Sequence, residues 1–102
     1  MIYCFDLDGT LCETEGSDYP GSLPKYERID VVNKLYDAGH TIIIETARGS
    51  GSGVDWYGVT YTQLKNWKIK FHRLRVGTKI HADIFVDDKG VSDSEFFKEL
   101  YK

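Results

Sequence analysis

Three short apolar runs end abruptly in polar groups: Met1–Phe5 in Asp6 and Asp8, Thr41–Ile44 in Thr46, and Ile84–Val86 in Asp87 and Asp88. Short unbroken apolar runs bounded by turn chemistry read as strands buried on both faces, the habit of parallel sheets. A fourth run, Phe71–Val76, reads as a further strand. Between them lie helical patterns. From Tyr26 to Ala38 the apolar positions Ile29, Val32, Leu35 and Tyr36 recur at helical spacing, and Gly39 stands where a helix stops. Val54–Trp67 reads as a second helix and Asp93–Tyr101 as a third, with Ser92 or Ser94 as its N-cap. Strands alternating with helices predict an α/β fold: a three-layer α/β/α sandwich around a mostly parallel sheet. Such folds bind ligands beyond the carboxyl ends of their strands, where these acids and Thr46 converge.

The run Phe5-Asp6-Leu7-Asp8-Gly9-Thr10 carries the most chemistry. Two carboxylates two residues apart, leaving a strand, can face one cation, and hard Mg²⁺ takes oxygen ligands while keeping several waters. A carboxylate can also attack phosphorus, and a second one nearby can protonate the leaving oxygen and later activate water. The same residues would suit a simple turn, since Asp and Gly favour turns. A chance match at the four fixed positions, however, arises in roughly one chain per thousand of this length. An EF-hand loop beginning at Asp6 fails, because Leu11 stands at its sixth position and Ser17 at its twelfth.

Composition narrows the rest. The chain has 102 residues, enough for one domain with a single core, and a net charge of −3 that argues against a general polyanion binder. No apolar run approaches the roughly 20 residues of a membrane span, and no signal peptide is evident, so a cytoplasmic location is expected. Reduced thiols fit that location: Cys4 reads as a small buried hydrophobe, and a Cys4–Cys12 bridge is not expected. The three histidines do not cluster with ligand spacing, which disfavours zinc.

With these residues in view, the chain resembles the haloacid dehalogenase-like (HAD) superfamily of phosphotransferases over nearly its whole length. The resemblance implies that Asp6 is the nucleophile and Asp8 the general acid/base, whose backbone carbonyl also reaches Mg²⁺. It places Thr46 of Ile44-Glu45-Thr46-Ala47-Arg48 at the second motif, where its hydroxyl and the Ala47 amide hold phosphate oxygens, and Thr10 closes the first motif beside them. Lys79 matches the third motif and offsets charge on the phosphoryl group. Asp87 and Asp88 match the fourth, with Asp87 the main metal ligand; the implied metal set is Asp6, Asp8, Asp87 and Asp88. In isolation Thr46 would read as a helix cap and Lys79 as a surface lysine. The family's dehalogenases lack the second Asp, so Asp8 implies phosphate chemistry.

The intervals between motifs hold no cap domain, which resembles the capless subclass. One domain over residues 1–102 is expected, with a flap over residues 12–24, Tyr19 at its tip, and Gly49–Gly53 as a second mobile wall. Water would be excluded by that flap, a homo-oligomeric neighbour or a large substrate. Asp18-Tyr19, Pro24, Gly39-His40, Thr46-Ala47-Arg48-Gly49 and Val86-Asp87-Asp88 further resemble small phosphatases encoded with capsular and surface-polysaccharide biosynthesis. That implies a phosphorylated sugar or sugar derivative as substrate, with Arg48 touching a substrate anion or hydroxyl, or else forming an ion pair. Two alternatives stand beside it. Lys65, Lys68, Lys70, Arg73, Arg75 and Lys79, interleaved with Trp67 and Phe71 and free of acids, would suit a polynucleotide end phosphatase; the alternation from Lys68 to His72 also describes the solvent face of a strand. A phosphoacceptor signalling domain uses similar groups, but in the reverse order along the chain.

Overall fold

The computed structural model describes residues 1–77 and 91–101. In chain order these form β1 (Ile2–Asp6), the short strands β2 (Cys12–Glu13) and β3 (Leu23–Pro24), helix α1 (Tyr26–Asp37), β4 (Thr41–Thr46), α2 (Tyr57–Asn66), β5 (Arg73–Val76) and α3 (Asp93–Phe96). Single 3₁₀ turns occupy Tyr19–Gly21 and Lys98–Tyr101. Lys79, His81, Asp87, Asp88 and the strand expected at Ile84–Val86 lie outside the described residues.

β1, β4 and β5 make a parallel sheet in that order, which bears out an α/β fold. β4 is β-branched at five of six positions, Thr-Ile-Ile-Ile-Glu-Thr, and such side chains favour extended backbone. α1 ends on Gly39, whose φ of +94° closes the helix as side-chain-bearing residues rarely do. The Gly39 N–H donates to the Tyr36 carbonyl at 3.0 Å and the His40 N–H to that of Leu35 at 3.1 Å, the paired bonds of a Schellman motif. That turn returns the chain into β4, beside β1.

Register sorts the sheet into two unlike faces. Tyr3 lies beside Ile42, Phe5 beside Ile44, and Ile44 beside Leu74. This face meets Ile29 and Val32 of α1, Leu64 of α2, Ile69 and Phe97 in one core. The other face carries Ile2, which is 72 % exposed, with Cys4, Arg73 and Arg75, all exposed. Strands buried on both faces were expected; among the described residues the second face is exposed at Ile2, Cys4, Arg73 and Arg75 and half-buried at Ile43 and Glu45. The reason is legible in Arg73-Leu74-Arg75-Val76, which alternates charged and apolar residues in the manner of a half-exposed strand. Cys4 shares that face and is therefore exposed rather than buried.

The expected C-terminal helix divides into α3 and the Lys98–Tyr101 turn, and the Ser92 hydroxyl caps α3 by accepting the Glu95 N–H at 3.2 Å. Arg28 ties this segment down. Its Nε donates to the Tyr101 hydroxyl at 2.7 Å, and Nη1 donates to Asp93 Oδ2 at 2.9 Å and to the Thr10 carbonyl at 3.1 Å. The guanidinium also lies 4.8 Å from the centre of the Phe97 ring. The hydrogen bond from Arg28 holds the Asp93 carboxyl below the ordinary carboxylate range, against a smaller opposing push from burial. A depressed folded-state pKa contributes stability above the unfolded value, about 3.9 for Asp, and that stability is lost as pH falls through the folded value. Asp93→Asn is therefore expected to melt below wild type at pH 7, with the difference in Tm shrinking by pH 3. A difference independent of pH would contradict the pairing.

Candidate active site

The turn after β1 is built on one carbonyl. Leu7 O accepts the N–H groups of Thr10 at 3.1 Å, Leu11 at 2.8 Å and Cys12 at 3.3 Å, while the Gly9 N–H donates to Cys12 O at 2.8 Å. Gly9 has a φ of +81°, a conformation that costs L-residues about 1–2 kcal/mol. Leu7 and Leu11 are fully buried and pin the turn to the core. Asp6 and Asp8 are thereby held, half-buried, at the carboxyl end of β1. β4 ends beside it, and the Thr46 hydroxyl donates to Asp8 Oδ2 at 3.3 Å. Sequence-distant Asp6, Asp8 and Thr46 therefore meet at one end of the sheet. Ala47 follows Thr46 and is exposed, and Thr10 is half-buried with its carbonyl held by Arg28.

Of the two readings of Arg48, the structure shows the ion pair. The residue is 1 % exposed, and protein groups occupy all five of its N–H donors. Nε bridges both Asp8 oxygens, at 3.2 and 3.0 Å, and Nη2 donates to Asp8 Oδ1 at 2.8 Å and to Ser22 Oγ at 3.3 Å. Nη1 donates to Thr60 Oγ1 at 3.1 Å and to Gln63 Oε1 at 2.6 Å. A guanidinium so engaged has no donor left for a substrate anion, which favours the ion-pair reading over the substrate contact.

Asp8 changes meaning in turn. Its Oδ1 also accepts the Thr14 hydroxyl at 2.6 Å. Both oxygens are taken, and a cation beside them would sit against the buried guanidinium. The Asp8 carboxylate is thus not presented as a metal ligand, and a contribution from this residue would fall to its backbone carbonyl. Burial pushes the Asp8 carboxyl up, but the hydrogen bonds from Arg48 and Thr14 and the charge of Arg48 outweigh it and hold the group below the usual range. Burial pushes the neighbouring Cys12 thiol up, so it stays protonated.

Residues 12–24 form a hairpin, with Cys12 beside Pro24 and Glu13 beside Leu23. Its outer end is the exposed stretch Glu15–Asp18 rather than Tyr19. Tyr19 turns inward: its ring lies 4.8 Å from the Arg48 guanidinium and meets Trp56 edge-on at 5.0 Å. The Gly49–Gly53 loop has its own bonds, from Ser50 N–H to Ala47 O and from Gly53 N–H to Gly49 O, each 2.8 Å. Gly49 has a φ of +83°, and a Cβ there would collide with the Val54 carbonyl and come within 3.1 Å of the Trp56 ring. Gly49→Ala is expected to destabilise the protein by about 2 kcal/mol, read as a lower urea midpoint at constant slope. A midpoint equal to wild type would mean the loop re-forms freely.

Thr14, Ser22, Thr60 and Gln63 complete this polar cluster and were not singled out from sequence. A signal for two of them existed. Thr60 and Gln63 lie on the same side of α2 as buried Leu64, and polar residues on a core-facing stripe require partners. Lys68 and Lys70 are exposed around buried Ile69, but the segment is no strand: Lys68, with a φ of +59°, lies in the turn that closes α2. Lys70 pairs with Asp37 at 2.7 Å and Arg75 with Glu45 at 3.7 Å, so part of the basic stretch serves internal pairs.

No family model matches the chain, and no curated protein matches it. Among solved structures, the chain is similar to a target protein from Vibrio cholerae, with 26 % identity and a TM-score of 0.79, covering 98 % of this chain and 93 % of that one. It is also similar to chains in the Pnkp1/Rnl/Hen1 complex, at 22 % identity and TM-score 0.60, and in the Pnkp1/Rnl/Hen1 RNA repair complex, at 19 % and 0.59. These cover 80 % and 98 % of this chain but 30 % of each larger one, so the likeness is one of fold over less than a third of their length.

Proposed function

We propose that the chain is a HAD-type phosphatase, a Mg²⁺-dependent phosphate monoester hydrolase working through an aspartyl phosphate on Asp6. The observation that carries this reading is the meeting of Asp6 and Asp8 with Thr46 at the carboxyl ends of β1 and β4, where the Thr46 hydroxyl reaches Asp8 at 3.3 Å. Asp6 attacks phosphorus as the bond to the leaving oxygen breaks, and Asp8 supplies the proton that oxygen needs. Asp8 then takes a proton from water, which attacks the aspartyl phosphate and frees Asp6. The grip of Arg48 holds Asp8 ionised in the free enzyme. In this scheme Asp8 therefore takes a proton from solvent before it donates one to the leaving oxygen, and that donation returns it to the carboxylate the second half of the cycle requires. Thr46 Oγ1, the Ala47 amide, Thr10 and Lys79 bind phosphate in this scheme.

The donor chemistry fits a hard divalent ion, because the acids concerned offer only oxygen. By the sequence resemblance, Asp6 would hold Mg²⁺ together with Asp87 and Asp88. Bound there, the ion offsets negative charge on the phosphoryl oxygens.

The sequence resemblance favours a phosphorylated sugar as substrate. A second reading, a polynucleotide end phosphatase, is favoured by one surface. Tyr57 and Tyr61 stack in the open with ring centres 6.2 Å apart, and Lys65 Nζ lies 5.5 Å from the Tyr61 ring and 5.8 Å from that of Phe71. The similarity to chains of an RNA repair complex points the same way. Phosphate release from p-nitrophenyl phosphate, phosphorylated sugars and 3′-phosphorylated oligonucleotides, with and without Mg²⁺, tests both readings. Mg²⁺-dependent release from sugar phosphates alone selects the first and release from oligonucleotides the second. No release from any of them overturns the proposal.

A further inference from the structure

We infer that Arg48 and Gln63 form a latch: two positioning residues that fasten the hairpin of residues 12–24 to α2 and fix the direction of the Asp8 side chain. The hairpin has little of its own to hold it in place. Its strands are two residues each, and its outer end, Glu15–Asp18, is exposed. Its inward contacts, by contrast, converge on a few atoms. Ser22 Oγ accepts from Arg48 Nη2, the Tyr19 ring packs on the same guanidinium, and the Tyr19 carbonyl accepts from Gln63 Nε2. Thr14 bridges Asp8 and Ser22, at 2.6 Å to each.

Gln63 uses both ends of its amide. Oε1 accepts from Arg48, and Nε2 donates to the hairpin backbone. Arg48 spends one edge of its planar fork on Asp8 and the remaining donors on α2 and Ser22. The hairpin therefore cannot lift without breaking its bonds to Gln63 and to Arg48, and Arg48 in turn holds Asp8. A lysine could not make these contacts together, because an ammonium presents a point charge with three donors rather than a fork. A glutamate at 63 keeps the acceptor for Arg48 but loses the donor to Tyr19.

The latch itself is independent of the reaction, while its effect on turnover rests on the phosphatase reading. Backbone amide exchange and p-nitrophenyl phosphate kinetics test it in the full chain. In Gln63→Leu, exchange across residues 19–22 is expected to rise about tenfold with exchange in β4 unchanged, and kcat to fall about tenfold with KM within about twofold. Gln63→Glu, which keeps the partner of Arg48, is expected to raise hairpin exchange while retaining more of kcat. Arg48→Lys should raise hairpin exchange and lower kcat together. Hairpin exchange equal to wild type in Gln63→Leu and Gln63→Glu overturns the latch. So does exchange rising in step across β4 and the hairpin, the signature of a merely structural loss. If the wild type hydrolyses no phosphate ester, the phosphatase reading falls and the exchange pattern alone decides the latch.

Discussion

Arg48→Met is expected to destabilise the protein by about 3 kcal/mol. Removing one partner of a buried ion pair typically costs about 3–5 kcal/mol, because the remaining charge is stranded in a poor solvent. Here the survivor is Asp8, whose side chain is 26 % exposed and keeps some water, which places the loss at the lower end of that range. Gln63, Thr60 and Ser22 lose their common donor as well. Urea unfolding followed by circular dichroism measures the effect. Adding Asp8→Asn to Arg48→Met should recover part of the loss, since it removes the stranded charge. A single-variant loss below about 1 kcal/mol would mean that solvent already reaches the pair.

Asp6→Asn is expected to lower phosphate release by at least about 10³-fold, with little change in stability. An amide oxygen is a far weaker nucleophile than a carboxylate, and removing a covalent nucleophile abolishes most of the rate rather than a share of it. Asp8→Asn should fall within the about 10²–10⁴-fold range of a lost acid or base. Steady-state kinetics with Mg²⁺ reads both, and trapping of an acid-stable, base-labile phosphoryl group separates them: Asp6→Asn should form none. An Asp6→Asn enzyme that turns over at the wild-type rate sinks the mechanism.

What could be read in advance depended on how local its cause was. The Schellman turn at Gly39 needs only a glycine after a helical stripe, and it was visible. So was the position of Asp6, because the β-branched run that became β4 announces a neighbour for β1. The exposed face of the sheet was misjudged at Cys4, since an isolated apolar run does not say which side is covered. For Arg48 the ion pair was one of two readings, but its burial and its partners were hidden for a different reason. The groups that accept its hydrogen bonds come from residues 8, 22, 60 and 63, far apart in sequence, and only the fold brings them together. Side chains whose partners are assembled by topology give little sign of burial in their own neighbourhood. The matches at Lys79 and Asp87-Asp88 fall outside the described residues, so the phosphate and metal groups there stand on resemblance.

The carbonyl of Leu7, with three amides converging on it, has a consequence for how this loop changes over time. Its path is set by backbone bonds, by a left-handed glycine and by two buried leucines, none of which takes part in the chemistry. Scaffold and reactivity are therefore separately mutable. The acid at position 6 stands like a tool in a socket that a lineage could exchange, whereas Asp8 is tied to Arg48 and would change only together with it.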